Sequence, residues 1–219
     1  MLSIRSGVNL SMAVLLSVAT APLALADNHN SLEDAGFESQ TSGDNGGWRL
    51  FQISLYSRNH AHSGEWSMYN GGYSRRMATP PYTIGNDSGG FQEFSARPGS
   101  KWRLTGYALS PTKLVGSPAF GLIQLSFFDA SGRDLGAVET QDSISKAKLS
   151  AEFNSNSPVD EWVQLDTGTA TAPEGTALIR AFTIFVDHSA SNTSQGVYFD
   201  DLVLCEVDDN GDCGNEETP

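Results

Sequence analysis

The sequence predicts an all-β protein built as an antiparallel β-sandwich, and three observations carry that prediction. Apolar residues alternate with polar ones in short runs, the period-two pattern of half-buried strands. Turn-forming clusters punctuate the runs: Gly71-Gly72, Pro80-Pro81, Gly89-Gly90, Pro98-Gly99, Ser131-Gly132 and Pro173-Glu174-Gly175. Helical periodicity is nearly absent. Short strands at such spacing indicate a sandwich or barrel.

The elements follow in order. Residues 1–26 read as a cleaved export leader. Arg5 supplies the positive start, residues 12–24 the apolar stretch, and Ala24-Leu25-Ala26 the small-x-small cleavage pattern. The stretch is too short for a membrane span of about 20 residues. Eight candidate strands then cover 50–56, 65–69, 91–96, 102–109, 122–129, 162–169, 177–187 and 197–204. In 122–129, Ile123, Leu125 and Phe127 share one face and Gln124, Ser126 and Phe128 the other. The first set is the expected core. The run 177–187 is apolar on both faces, with Ile179 and Phe185 on one and Leu178, Phe182 and Ile184 on the other. It is expected to be a central strand, its outer face covered by loops or by ligand. Residues 143–152 fit either a short helix or a long loop. The sandwich domain is placed at 27–205, followed by an acidic tail at 206–219 that is expected to be disordered from Asn215 onward.

Length and charge limit function. Without the leader, roughly 190 residues remain, enough for one domain. The chain carries 26 acidic and 13 basic residues, net −13. That charge disfavours nucleic acid and anionic membrane surfaces as partners. It also disfavours a strongly anionic polysaccharide, unless a local basic patch or calcium offsets the field. Export permits a disulfide between Cys205 and Cys213, the two cysteines of the chain. Between them, Glu206-x-Asp208-x-Asn210-Gly211-Asp212 echoes a calcium loop, but it lacks flanking helices and reads as a stapled acidic turn.

No nucleophile elbow, phosphate loop or His-Glu-x-x-His helix is present. His60-Ala61-His62 has no third metal ligand in sequence and reads as a surface turn. Glu93, Asp129 and Asp187 are acids that nothing pairs for glycosidic chemistry. The chain is therefore expected not to be an enzyme.

Seven motifs stand in register along the chain. They are Asp34-Ala35-Gly36-Phe37-Glu38, His62-Ser63-Gly64-Glu65-Trp66-Ser67 and Pro98-Gly99-Ser100-Lys101-Trp102-Arg103-Leu104. Then come Phe127-Phe128-Asp129-Ala130-Ser131-Gly132 and Glu161-Trp162-Val163-Gln164-Leu165. The last two are Thr171-Ala172-Pro173-Glu174-Gly175-Thr176 and Gly196-Val197-Tyr198-Phe199-Asp200-Asp201-Leu202. Together they resemble the bacterial jelly-roll carbohydrate-binding modules attached to cellulases, xylanases and laminarinases. Two positions depart from that family: Asp34-Ala35 stands where Asn-Gly or Asn-Pro is usual, and Trp102 where Tyr is usual.

The resemblance implies a jelly roll with a structural calcium tying the first segment to the last strand. Matched by residue, the ligands are Glu38 and either Asp200 or Asp201. Asp200 is favoured because it would share a face with Leu202 and Leu204. Carbonyls would come from Asp34 or the Ser63-Gly64 turn, since calcium takes six to eight oxygens.

For a sugar, whose C–H faces pack on aromatics and whose hydroxyls take polar partners, the candidates are Trp48, Tyr56, Tyr82, Tyr107, Gln124, Phe128 and Arg180. Trp48 lies in a glycine-rich loop that favours exposure. Trp66, Trp102 and Trp162 stand at core positions of the family and are left out. The expected function is a secreted or periplasmic, non-catalytic module that holds a β-glucan, xylan or similar polysaccharide on its concave sheet, beside a separate glycan-degrading enzyme. The alternatives are a structural or adhesive protein of the same fold without a sugar site, or a small polysaccharide lyase or glycosidase.

Overall fold

The computed structural model describes residues 30–42, 46–72, 87–116, 118–143, 145–188 and 195–213. The predicted leader, Tyr82 and the tail from residue 214 lie outside these. Among the described residues, twelve strands form two six-stranded antiparallel sheets, a β-sandwich of jelly-roll type. In the first sheet the order is β1 (Arg49–Phe51), β4 (Asp87–Ser95), β11 (Leu178–Asp187), β6 (Ala119–Phe128) and β7 (Asp134–Gly136). β8 (Lys148–Leu149) also pairs with β6. In the second the order is β10 (Ala170–Thr171), β5 (Lys101–Leu109), β12 (Gly196–Glu206), β3 (Ser67–Gly71) and β2 (Ser54–Ser57). β9 (Val163–Asp166) also pairs with β5.

Alternation decides what each sheet buries. From the first sheet Ile123, Leu125, Phe127, Ile179, Ala181 and Phe185 point inward and are fully buried. From the second, Met68, Leu104, Ala108, Val197, Phe199, Leu202 and Leu204 meet them. The inward set on residues 122–129 is the one the sequence predicts. β11 is central, between β4 and β6, as its two apolar faces imply.

Three expectations change. Residues 50–56 are two strands, not one: β1 pairs with β4 in the first sheet and β2 with β3 in the second. Gln52, at φ 55°, turns the chain between the layers. Residues 143–152 hold no helix among the described positions; Lys148 and Leu149 extend the first sheet, and Phe153 bridges Gly121. At the other end β12 runs on to Glu206, and Val207 is buried, its N–H donating to the Lys101 carbonyl.

Cys205 and Cys213 are joined by a disulfide. The turn they close is organised by Asp208, whose carboxylate accepts the Asn210 and Asp212 N–H groups and is thereby held below the usual carboxylate range.

Among the described residues, the segment ahead of β1 holds no strand and is pinned by polar contacts. Asn30 donates to the Leu202 carbonyl (2.7 Å) and accepts from Leu204 N–H (3.0 Å). Ser31 N–H reaches the Leu204 carbonyl (2.8 Å), and Leu202 N–H the Ala35 carbonyl (3.1 Å). Buried Gln92 on β4 holds Glu33 by both its N–H and its carbonyl, and also the Gly46 carbonyl. Phe37, left-handed at φ 63°, is driven into the core against Trp48, 5.2 Å between ring centres. An aromatic residue in this conformation is strained, and its burial holds it there.

Candidate functional site

The outer face of the first sheet is the candidate ligand surface. On β11 every second residue from Leu178 to Val186 is half-buried and points away from the core. The pairing register sets their neighbours. Phe182 lies opposite Phe91 on β4 and Gln124 on β6. Arg180 lies opposite Glu93 and Ser126, and Leu178 opposite Phe128. Arg49 on β1 lies opposite Phe91. One row therefore runs Arg49, Phe91, Phe182, Gln124 across four strands, about 14 Å at the usual strand spacing.

The Phe91 and Phe182 rings are 5.3 Å apart and tilted by 35°. Arg180 lies over Phe128 (4.1 Å) and Phe91 (5.3 Å), and donates to Glu93 at 2.7 Å. The guanidinium is thus fixed by a carboxylate and two ring faces. Gln124 donates to the Ser126 hydroxyl (3.3 Å). At Gly89 a Cβ would fall 2.2 Å from the Thr183 carbonyl oxygen and 2.6 Å from the Phe51 ring, so the glycine makes room for both.

The sequence candidates separate under this geometry. Gln124 and Arg180 share the face; Phe128 is on the same side but only 7% exposed, covered by the Arg180 guanidinium. Trp48 does not: it is 3% exposed, packed on Phe37, with its indole N–H donating to the Asp34 carbonyl (3.2 Å). Nearby glycines did not expose it, because the segment folds inward over the sandwich edge. Tyr56 also packs against the core, 6.1 Å from Phe37. Tyr107 is on the outer face of the second sheet, stacked at 3.8 Å beneath His62. Tyr82 lies outside the described residues. The sequence reading passed over Phe91, Glu93 as a partner of Arg180, and Arg49. The alternation of Phe91 with Glu93 was a usable signal, but their companions are far along the chain.

Of the other sequence-noted groups, Asp129 closes its own turn on Ser131 and Arg133, whose hydrogen bonds lower its carboxyl to about 2. Asp187 is buried and accepts from Gln195. His60 packs edge-on to Tyr198. Trp102 is buried and Trp66 packs against the core, whereas Trp162, read from the sequence as a core position, is half-buried outside the core cluster and edge-on to His62 at 5.5 Å.

The calcium candidates lie at the junction of the N-terminal segment and β12. Asp200 is fully buried beneath the 62–64 turn, accepting from His62 N–H (2.7 Å), Ser63 N–H (3.3 Å) and Asp201 N–H (2.7 Å). Burial, with the neighbouring Asp201 charge, pushes its carboxyl up to about 7 against these hydrogen bonds. Asp201, left-handed at φ 46°, binds His62 Nδ1 (2.6 Å) and the Ser63 hydroxyl (2.7 Å). Glu38 accepts the N–H groups of Glu65 and Trp66, both at 2.9 Å. A Cβ on Gly36 would lie 3.4 Å from a carboxylate oxygen of Asp201, 3.9 Å from one of Asp200 and 4.0 Å from the Glu38 Cγ, while the Glu38 carboxylate itself lies against Gly64.

Two expectations shift here. A register break between Asp200 and Val203 lets Phe199 and Leu202 both point inward. Asp200 is therefore buried by the turn that covers it and not by sharing the Leu202 face. Asp34 stands apart: its carbonyl already accepts from Phe37 and Trp48, and one carboxylate oxygen takes Ser39 N–H (2.9 Å). Its second carboxylate oxygen, Oδ2, is buried and has no hydrogen-bond partner among the described residues. Among the described residues no three His, Cys, Asp or Glu side chains converge as a ready metal cage. Carbonyl oxygens would have to complete the set.

No protein-family profile and no curated protein matches the chain. Solved structures do. The arabinose-bound α-L-arabinofuranosidase MgGH51 aligns at TM-score 0.50 and 13% identity, over 79% of this chain and 26% of that one. The enzymatically active domain of bacteriophage CBA120 tailspike protein 4 aligns at 0.49 and 13%, over 81% and 21%. TmCBM61, in complex with β-1,4-galactotriose, aligns at 0.48 and 15%, over 82% and 99%. The chain thus spans about a quarter or less of the two larger proteins and nearly all of the third. At such identities the likeness concerns the fold.

Proposed function

We propose that this protein is a non-catalytic carbohydrate-binding module that takes a polysaccharide of β-glucan or xylan type on the outer face of its first sheet. One observation carries the reading: the Phe91–Phe182 pair is flanked by the Arg180–Glu93 ion pair and by Gln124. Pyranose C–H faces would pack on the two rings, each such contact contributing about 0.5–1.5 kcal/mol. Hydroxyls would bond Glu93, Arg180 and the Gln124 amide, which are already held in place.

Calorimetric titration with soluble xylan and β-glucan tests this. Phe91→Ala and Phe182→Ala, on an outward face, should weaken binding about tenfold each, near 1.4 kcal/mol, with the melting temperature little changed. Unaltered affinity in both variants would remove the face from the reading. A second reading, adhesion through protein contact, draws on the face's aromatics among the described residues being phenylalanine, without a ring hydroxyl or indole N–H. Absence of binding to every polysaccharide tested would favour it.

The proposal includes a structural calcium held by Glu38, Asp200 and Asp201, with carbonyls of the 62–64 turn. The burial that pushes Asp200 up supports it, because a cation would keep that carboxylate ionised. Calcium there would neutralise adjacent carboxylates and fasten the N-terminal segment to β12. The proposed setting is secreted or periplasmic, beside a separate glycan-degrading enzyme. The export leader read from the sequence and the Cys205–Cys213 bond agree with an oxidising compartment.

A further inference from the structure

The charges on the ligand face are unevenly placed: Asp87, opposite outward Val186, lies with His188 at 2.9 Å, four residues along β4 from Phe91. Of the described arginines, Arg58, Arg97, Arg103, Arg133 and Arg180 each pair with a carboxylate. Arg49 pairs with none among the described residues. It is exposed and sits 5.8 Å over Phe91, on the ring that Arg180 also touches. Arg180 has its charge cancelled by Glu93, so it offers hydrogen bonds with little net field. Arg49 therefore leaves a local excess of one positive charge beside the central aromatic row, on a protein of net charge −13. A neutral glycan makes no use of that excess. A planar carboxylate does, since a guanidinium fork matches it in both shape and charge.

Resting on the sugar-face reading above, we propose that Arg49 selects a uronate: the preferred glycan carries a carboxylate on, or next to, the unit seated on Phe91. Phe91 takes the ring, Phe182 and Gln124 take the neighbouring unit, and Arg49 takes the carboxylate from the β1 side. Because Arg49 is solvent-exposed, the gain is modest, about threefold to tenfold in affinity, and it is screened by salt.

The test uses glucuronoxylan and the same polymer after chemical reduction of its carboxyl groups, each titrated at low and at high salt. The expected result is tighter binding of the acidic polymer at low salt, with the difference erased at high salt. Arg49→Gln should abolish the preference, so that the two polymers bind with equal affinity at low salt. Equal binding of both polymers by the unaltered protein would overturn this inference and leave the sugar reading standing. Binding of neither would overturn both. An equal gain with dextran sulfate over dextran would also overturn it, since charge of any geometry would then suffice.

Discussion

Gln92 shows how one side chain can organise a segment that has no strand. It is 3% exposed, and its amide takes the place of a neighbouring strand for Glu33 and Gly46. Gln92→Leu keeps the volume but leaves one N–H and two carbonyls without their partner. A loss of about 2–3 kcal/mol is expected in urea unfolding, with an unchanged slope. A loss below about 0.5 kcal/mol, the spread of ordinary surface substitutions, would show that water replaces the amide. Single residues were also where the sequence misled. Trp48 looked exposed because its neighbours are glycines, yet its ring closes over Phe37. Nothing local says that Phe37 adopts a left-handed backbone and turns inward, so nothing local could bury Trp48.

At the scale of elements the sequence was more legible, because alternation is local. Ile123, Leu125 and Phe127 face the core as their spacing requires, and β11 is central as its two apolar faces imply. Pairing is not local, and the ligand face depends on it: Phe91 meets Phe182, and Glu93 meets Arg180, only through β4–β11 register. Register also joins β5 to β9, where Arg103 and Asp166 form a two-pronged ion pair across adjacent outer positions. The Arg103 hydrogen bond, aided by Gly168 N–H, holds the Asp166 carboxyl below the usual carboxylate range. A folded-state pKa below the unfolded value adds stability above the unfolded pKa of about 4, and that stability is lost as pH falls through the folded pKa. Asp166→Asn should therefore be less stable than the parent at neutral pH. The gap should close as the solution is acidified below about pH 4. With the guanidinium 34% and the carboxylate 38% exposed, the neutral-pH difference is under about 1 kcal/mol. A gap that persists at low pH would trace the effect to packing.

For the whole molecule the sandwich was readable, while the acid cluster at its edge was readable only through resemblance. Asp200 comes from the opposite end of the chain to Gly36 and Glu38, and only the closed fold brings it to them. If calcium binds there, a concentration near a hundredfold above its dissociation constant adds about 2.7 kcal/mol, or roughly 5–10 °C in melting temperature for a domain of this size. Asp200→Asn should remove that response. A melting temperature identical in chelator and in millimolar calcium would sink the assignment. The same edge has a consequence for architecture. Ser31 and Leu204 share a backbone hydrogen bond, so the chain enters and leaves the sandwich at one point. A unit whose two ends touch can be spliced into a surface loop of another protein without stretching either partner, as one bead is hung from a thread.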